Sequence, residues 1–189
     1  MKKVIIKASS LAFLLAGLSF GVMAQTTDQP ATSRAIRLSI APEFGLPVGN
    51  LSDSHDWSFG GSLQVDYPVA KDLFATLNAG YNNIFGKSEA GIDVTDLQLI
   101  PVKAGLKYFP TKMFYVQAEA GAAFLANKSD FVSGKSASFV YAPQVGVQLP
   151  FSDKSFLDAG IRFEGNTKFV EGGDAANFFG LRLAYSFQL

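Results

Sequence analysis

Residues 179–189 alternate between large apolar side chains and small or polar side chains without a break. The apolar positions are Phe179, Leu181, Leu183, Tyr185, Phe187 and Leu189, and the alternate positions are Gly180, Arg182, Ala184, Ser186 and Gln188. A period of two residues predicts a β-strand whose two faces meet different environments. Because one face is large and apolar and the other is mostly small and polar, the pattern indicates lipid outside and a crowded polar interior.

Similar segments recur along the chain and are separated alternately by short turns and by longer loops. Pro68, Pro110 and Pro150 each end a strand pattern and are followed by Lys and Phe, which predicts three tight turns. Segments rich in Gly, Asn, Ser and Asp predict loops at residues 47–56, 83–96, 126–137 and 167–176. The strands between these breaks are predicted at residues 36–46, 57–67, 72–82, 97–109, 113–124, 138–149, 156–166 and 177–189.

Each predicted strand has roughly the 9 to 11 residues that cross a bilayer at a tilt. No segment has the pattern of a transmembrane helix, so a membrane-spanning chain must satisfy its backbone hydrogen bonds as a closed barrel. We therefore predict an all-β fold, an eight-stranded antiparallel up-and-down transmembrane β-barrel over residues 36–189. Outward aromatic side chains form two predicted girdles, Tyr67, Tyr108, Phe114, Tyr185 and Phe187 at the turn end and Trp57, Tyr81, Phe124, Phe139 and Phe163 at the loop end.

The fourth predicted strand contains a conflict, because Leu97 and Leu99 share a parity with Lys103 and Lys107. A lysine that faces lipid near the middle of the membrane costs about 2 to 4 kcal/mol. We therefore predict that both lysines point inward. A bulge near Pro101 would absorb the conflict, or the two leucines would lie above the lipid belt.

Alternation places ten charged residues inside the predicted barrel. The basic residues are Arg37, Lys103, Lys107, Arg162 and Arg182, and the acidic residues are Glu43, Asp66, Glu119, Asp158 and Glu164. Arg37, Lys107, Asp66 and Asp158 fall nearer the turn end and the other six near the middle, so each layer is neutral. Side chains fill the interior of an eight-stranded barrel, and buried charges there must pair. We predict a salt-bridged plug, with a proton or ion path through the same groups as the alternative.

The first 24 residues predict a signal peptide. Lys2, Lys3 and Lys7 precede a short apolar run, and small residues lie before Gln25. Residues 25–35 are predicted to be a flexible lead-in to the barrel. Removal of the signal leaves 13 basic and 16 acidic residues, a net charge near −3, which does not favour a nucleic-acid partner. The chain contains no cysteine, so neither a disulfide nor a lipoprotein anchor is expected.

The segment from Leu99 through Pro101 to Lys103, with Tyr108 and Phe109 after it, and the C-terminal strand resemble the small outer-membrane β-barrel superfamily. That superfamily includes outer-membrane protein X, the barrel domain of outer-membrane protein A and the barrel-domain proteins of Bacteroidetes. The resemblance implies that the assembly machinery recognises the terminal strand, which typically ends in Phe. The matching residues here are Tyr185 and Phe187, while Leu189 departs from the pattern.

Two enzymes of this architecture, the lipid A palmitoyltransferase and the deacylase, use a His with a Ser near the outer rim. The only histidine here, His55, lies beside Asp53, Ser54 and Asp56, with Ser58 just beyond. Hydroxyl, imidazole and carboxylate groups suit acyl transfer, and a metal could also bind, but any solvated loop has this composition. We predict neither a catalytic nor a metal site.

The predicted function is that of a non-enzymatic integral outer-membrane barrel that serves envelope integrity or surface interaction through its external loops. The alternatives are a lipid A-modifying acyl-transfer or deacylase barrel and a narrow pore. The expected partners are outer-membrane lipid, the assembly machinery and a surface partner at the loops. No cofactor is expected, and the barrel is expected to be a monomer.

The signal sequence generates the first testable prediction. The mature protein should begin at Gln25 and behave as a heat-modifiable monomer in the outer-membrane fraction. Mass spectrometry of the purified protein checks the start, and electrophoresis of unheated and heated samples checks the barrel. Retention of residues 11–20, or recovery in the soluble periplasm, would contradict the prediction.

The terminal strand generates the second testable prediction. Phe187→Asp should block assembly and leave aggregated precursor, because the lipid face of a barrel tolerates a charge poorly. Phe187→Leu is the matched control, since it keeps the face apolar. Immunoblots of membrane fractions measure folded barrel, and wild-type levels in the Asp variant would contradict this expectation.

Overall fold

The computed structural model describes residues 35–89, 92–130, 136–167 and 175–189. Eight antiparallel strands in this part of the chain close into one barrel, in which each strand pairs with its neighbours in sequence and the last pairs with the first. They are β1 (Arg37–Val48), β2 (His55–Ala70), β3 (Leu73–Gly86), β4 (Leu97–Tyr108), β5 (Phe114–Leu125), β6 (Ala137–Ser152), β7 (Ser155–Asn166) and β8 (Ala176–Gln188). The predicted fold class and topology are confirmed. The predicted signal peptide lies outside the described residues, as does most of the predicted lead-in.

The connections divide the barrel into a turn end and a loop end. Residues 71–72, 109–113 and 153–154 form the turns. A four-residue helix, α1 (Leu51–Ser54), lies between β1 and β2 at the loop end. The next loop contains two paired two-residue strands, Ser88–Glu89 and Ile92–Asp93, and a 3-10 turn, Lys128–Asp130, follows β5. Across the described ranges, no helix is long and apolar enough to cross a membrane.

Two strands continue beyond the prolines that were predicted to end them. β2 runs through Pro68 to Ala70 and β6 through Pro150 to Ser152. In both places the pairing shifts register immediately after the proline. Proline has no N–H for the ladder, and a bulge near a strand end accommodates that loss. Both predicted strand ends were therefore wrong by three residues, while the three turns are where they were expected.

The outer face is apolar, as the alternation indicated. The girdle aromatics lie on this face, and Tyr67 and Phe139 are more than half exposed. The rings contact one another across strands: Trp57 stacks on Phe85 with centroids 4.3 Å apart, and Phe163 meets Phe179 at 5.4 Å.

The interior contains an apolar zone at each end of a polar middle. At the turn end, Phe74, Phe109 and Tyr115 form a buried cluster, here called the turn-end cluster. The loop-end cluster comprises Leu51, Ile84, Leu97, Leu99, Ala123, Leu125, Val140, Ala176 and Phe178. Buried charged and amide side chains lie on the inner face between the two.

The loop-end cluster resolves the conflict in the fourth strand. Leu97 and Leu99 point inward and are 8% and 0% exposed, on the same face as the buried Lys103 and Lys107. The pairing of β4 with β3 and with β5 has no register shift. The lysines point inward as predicted, but the predicted bulge was wrong, and no position above the lipid belt is needed to explain the pattern. The interior is apolar at the loop end, so the two inward leucines have apolar neighbours in the loop-end cluster.

The inward position of Leu99 gives a prediction with a control on the same strand. Leu99→Ala should destabilise the barrel by about 2 to 5 kcal/mol, because it opens a cavity in a packed interior. Leu106→Ala should cost much less, since Leu106 is 53% exposed on the outer face and lipid fills the space. Urea unfolding in lipid vesicles measures both. Equal losses would mean that Leu99 does not pack inside.

Candidate functional site

All ten charged residues predicted to lie inside are buried on the inner face, each no more than 7% exposed. Nearer the turn end, Lys107 joins two carboxylates, with its Nζ 2.8 Å from Asp158 Oδ2 and 3.5 Å from Asp66 Oδ2. The ammonium also lies 4.0 Å from the centre of the Tyr115 ring. A buried lysine between two carboxylates and an aromatic face has the partners that offset its loss of water.

Arg37 lies at the turn end, next to the ion pairs of Lys107. Its Nη1 donates to Gln148 Oε1 at 2.7 Å. Its guanidinium carbon lies 4.5 Å from the ring centre of Phe74 and 4.9 Å from that of Phe156. The guanidinium is therefore packed among aromatic rings at the turn end, where cation–π attraction adds to hydrogen bonding.

The middle of the barrel holds a second set of ion pairs. Lys103 Nζ lies 2.6 Å from Glu164 Oε2, and Arg162 Nη2 lies 3.3 Å from the same oxygen. Arg162 also pairs with Glu43, which accepts a 2.6 Å hydrogen bond from the hydroxyl of Ser62. These contacts join β1, β2, β4 and β7 across the interior.

Glu119 belongs to the same level. Its Oε1 accepts a hydrogen bond of 2.9 Å from the hydroxyl of Thr76 on β3. The contact joins β3 to β5 across the intervening β4.

Arg182 links the ion pairs nearer the turn end to those in the middle of the barrel. Its Nε lies 3.6 Å from Glu43 Oε1, and its Nη1 lies 3.7 Å from Asp158 Oδ1. The sequence placed Arg182 in the middle layer only. Its two partners instead connect the two sets of ion pairs. The eight connected residues are here called the charge network: Asp66, Lys107, Asp158, Arg182, Glu43, Arg162, Glu164 and Lys103.

Neutral side chains also belong to this interior, and they were not among the predicted residues. Tyr115 donates to Asp158 Oδ1 at 2.7 Å and accepts from Gln144 Nε2 at 2.6 Å. Gln64 donates to Asp66 Oδ1 at 2.6 Å. Each of these side chains has inward parity on its strand, so the same alternation that located the charges could have found them.

The tyrosine fits because two neighbouring strands carry glycine. A Cβ atom at Gly146 or at Gly160 would overlap the Tyr115 hydroxyl. The ring therefore occupies space that side chains on β6 and β7 leave free.

The residues near the first loop lie in different environments. Ser54 Oγ is 2.8 Å from His55 Nδ1, so the structure brings these two together. Asp53 and Asp56 are exposed, whereas Ser58 is buried on the inner face. Among the residues that the structure describes, no group of three or more His, Cys, Asp or Glu side chains could hold a metal ion.

The proposed assembly residues lie at the end of the barrel wall. Tyr185 is 42% exposed on the outer face, and its ring centre is 6.5 Å from that of Phe187. Leu189 follows the strand, is largely exposed, and its N–H donates to the carbonyl of Ile36 at 3.0 Å. Recognition of these residues by the assembly machinery stays a prediction.

A closed eight-stranded barrel with an apolar exterior and a charged interior defines an outer-membrane barrel class. The sequence model of the outer membrane protein beta-barrel domain matches residues 12–187, and the chain therefore belongs to this family. This membership places the protein in the outer membrane.

Solved structures show the same fold at low sequence identity. Neisserial surface protein A is 17% identical with a TM-score of 0.60, over 82% of this chain and 97% of that one. OprG, an outer membrane protein of Pseudomonas aeruginosa, is 15% identical with a TM-score of 0.51, over 85% and 100%. The Yersinia pestis outer membrane protein Ail, in a nanodisc, is 17% identical with a TM-score of 0.51, over 80% and 99%. A comparison with curated protein sequences finds no match.

Proposed function

We propose that this protein is a non-enzymatic, non-conducting barrel that serves envelope integrity and presents its external loops to a surface partner. The observation that carries the proposal is the charge network, whose buried ion pairs span the interior between the two apolar clusters. In this proposal the barrel is a monomer, its outer face contacts outer-membrane lipid, and the assembly machinery inserts it through the terminal strand.

The dimensions of the barrel support a closed interior. Eight strands enclose a space that side chains can fill. Arg37, Arg182, Tyr115 and Lys103 are among the largest side chains in this space, and each is under 2% exposed. A permeating ion would have to separate buried charges from their partners, at a cost of several kcal/mol.

The loops are tied to one another, which supports a role as a contact surface. Asp96 accepts hydrogen bonds from Gly86 N at 2.9 Å and from Asn83 Nδ2 at 3.0 Å. Asn127, which follows β5, donates to Asp96 O at 2.8 Å and accepts from Gln98 N at 3.1 Å. These bonds join the loop between β3 and β4 to the loop between β5 and β6, and a pre-ordered surface loses less entropy when a partner binds.

One observation favours a second candidate, acyl transfer at the rim. The hydroxyl of Ser54 lies within hydrogen-bonding distance of His55, and such a pair can activate a nucleophile. Mass spectrometry of lipid A from cells with the wild-type protein, with His55→Ala and with no protein tests it. A change in acylation that requires His55 would support this candidate and contradict the non-enzymatic proposal.

The charge network predicts the cost of breaking it. Arg162→Ala should destabilise the barrel by roughly 3 to 5 kcal/mol, because Glu43 and Glu164 then keep buried charges without this partner. Lys154→Ala at an exposed turn is the control and should cost little. Urea unfolding of both variants in vesicles gives the difference.

The same network predicts negligible conductance for the wild-type protein in planar bilayers. Steady, salt-dependent single-channel currents would contradict a closed interior. If Arg162→Ala then changed ion selectivity with little effect on the unfolding midpoint, the narrow pore would become the better description.

A further inference from the structure

The loop between β1 and β2 places a leucine in the barrel interior. Helix α1 contains only four residues and contacts β1, β2 and β8. Leu51, its first residue, is 9% exposed and belongs to the loop-end cluster, whose other members all come from barrel strands. The exposed Asp53 lies on the other side of the same helix. The helix therefore covers part of the apolar zone from outside, with an apolar side inward and a polar side outward.

The helix cannot maintain this position through its own stability. Four residues form about one turn, and nucleation of a single turn is unfavourable in water. Gly49, two residues before the helix, has a φ of 62°, a left-handed conformation that favours glycine. The hydroxyl of Ser52 donates to Gly49 O at 2.6 Å and stabilises the turn that leads into the helix. The position of the helix relative to the barrel therefore depends on the burial of Leu51 and on contacts from other segments.

Lys87 supplies such contacts. Its Nζ donates to Ser52 O at 2.7 Å, and its backbone N–H donates to Ser54 O at 2.9 Å. A cation near the carbonyls at a helix C-terminus is favourable, and these carbonyls have no partners within so short a helix. The carbonyl of Lys87 accepts from Val94 N at 3.0 Å, which anchors the lysine to the second external loop.

We propose that α1 is a lid over the loop-end cluster. Burial of Leu51 closes the lid, and the hydrogen bonds of Lys87 to the helix hold it closed, so that Lys87 acts as a latch. In the closed position, the loop shows polar groups outward and seals Leu51 among apolar side chains. When the lid opens, the loop-end cluster becomes accessible from the external side, and the outer end of the barrel changes from a polar to an apolar surface. The device is distinct from the charge network, so it does not depend on whether the barrel conducts.

The absence of native cysteine allows a direct test. Single-cysteine variants Leu51→Cys and Asp53→Cys are refolded in vesicles and labelled with a membrane-impermeant maleimide. The cysteine at position 51 should react at least about tenfold more slowly than that at position 53. Adding Lys87→Met should accelerate labelling at position 51 by about tenfold, the scale of one charge-assisted hydrogen bond, and leave position 53 unchanged.

Two controls separate the latch from general loosening of the loops. Lys128→Met removes the same charge from an exposed lysine that donates to Ser136 Oγ, and it should not change the rate at position 51. Lys87→Arg keeps the charge and the donors and should retain slow labelling. Heat-modifiability confirms that each variant is a folded barrel.

Three results would overturn the proposal. Equal labelling at positions 51 and 53 in the otherwise wild-type chain would show that the lid is not closed. Slow labelling at position 51 with Lys87→Met would show that Lys87 is not a latch. Equal acceleration by Lys87→Met and Lys128→Met would show that the effect is not specific to this contact.

Discussion

The narrow interior of an eight-stranded barrel is the constraint on which the rest of this structure depends. Inward side chains from all eight strands meet near one axis, so each must complement residues far away in the sequence. Lys103 and Glu164 illustrate this, since they come from β4 and β7 and lie 2.6 Å apart. The outer face has no such requirement, because lipid adapts to any apolar surface. The requirement for a specific arrangement therefore falls on the inner face, where an unpaired charge is costly.

Three kinds of packing fill this narrow interior. Arg37 lies among aromatic rings at the turn end, ion pairs occupy the middle, and aliphatic side chains occupy the loop end. Arg182 lies between Glu43 and Asp158 and joins the two sets of charges. The apolar clusters also keep water from the ion pairs, which strengthens the electrostatic attraction within them.

Alternation along the sequence was sufficient to predict the strands, their order and the inward direction of all ten charges. It works because side chains on a strand alternate between faces regardless of what lies opposite. Alternation does not identify partners across the barrel, since Tyr115 meets Asp158 only when β5, β6 and β7 have curved together. The inward leucines of β4 were misjudged for the same reason, because their apolar neighbours come from other strands. Helix α1 has four residues, which is too short to produce a periodic pattern, and it fell within a predicted loop.

The fit of Tyr115 against Gly146 and Gly160 has a consequence for how the barrel can change. One large residue and two absent side chains form a single spatial unit spread over three strands. A side chain gained on β6 or β7 displaces the ring, and a displaced ring removes the hydroxyl from Asp158, which also holds Lys107. The side-chain volume at these two wall positions is thus coupled to the stability of the buried charges of Asp158 and Lys107. A different packing of this interior requires coordinated replacement at these positions, even though Tyr115 lies more than thirty residues from either glycine in the sequence.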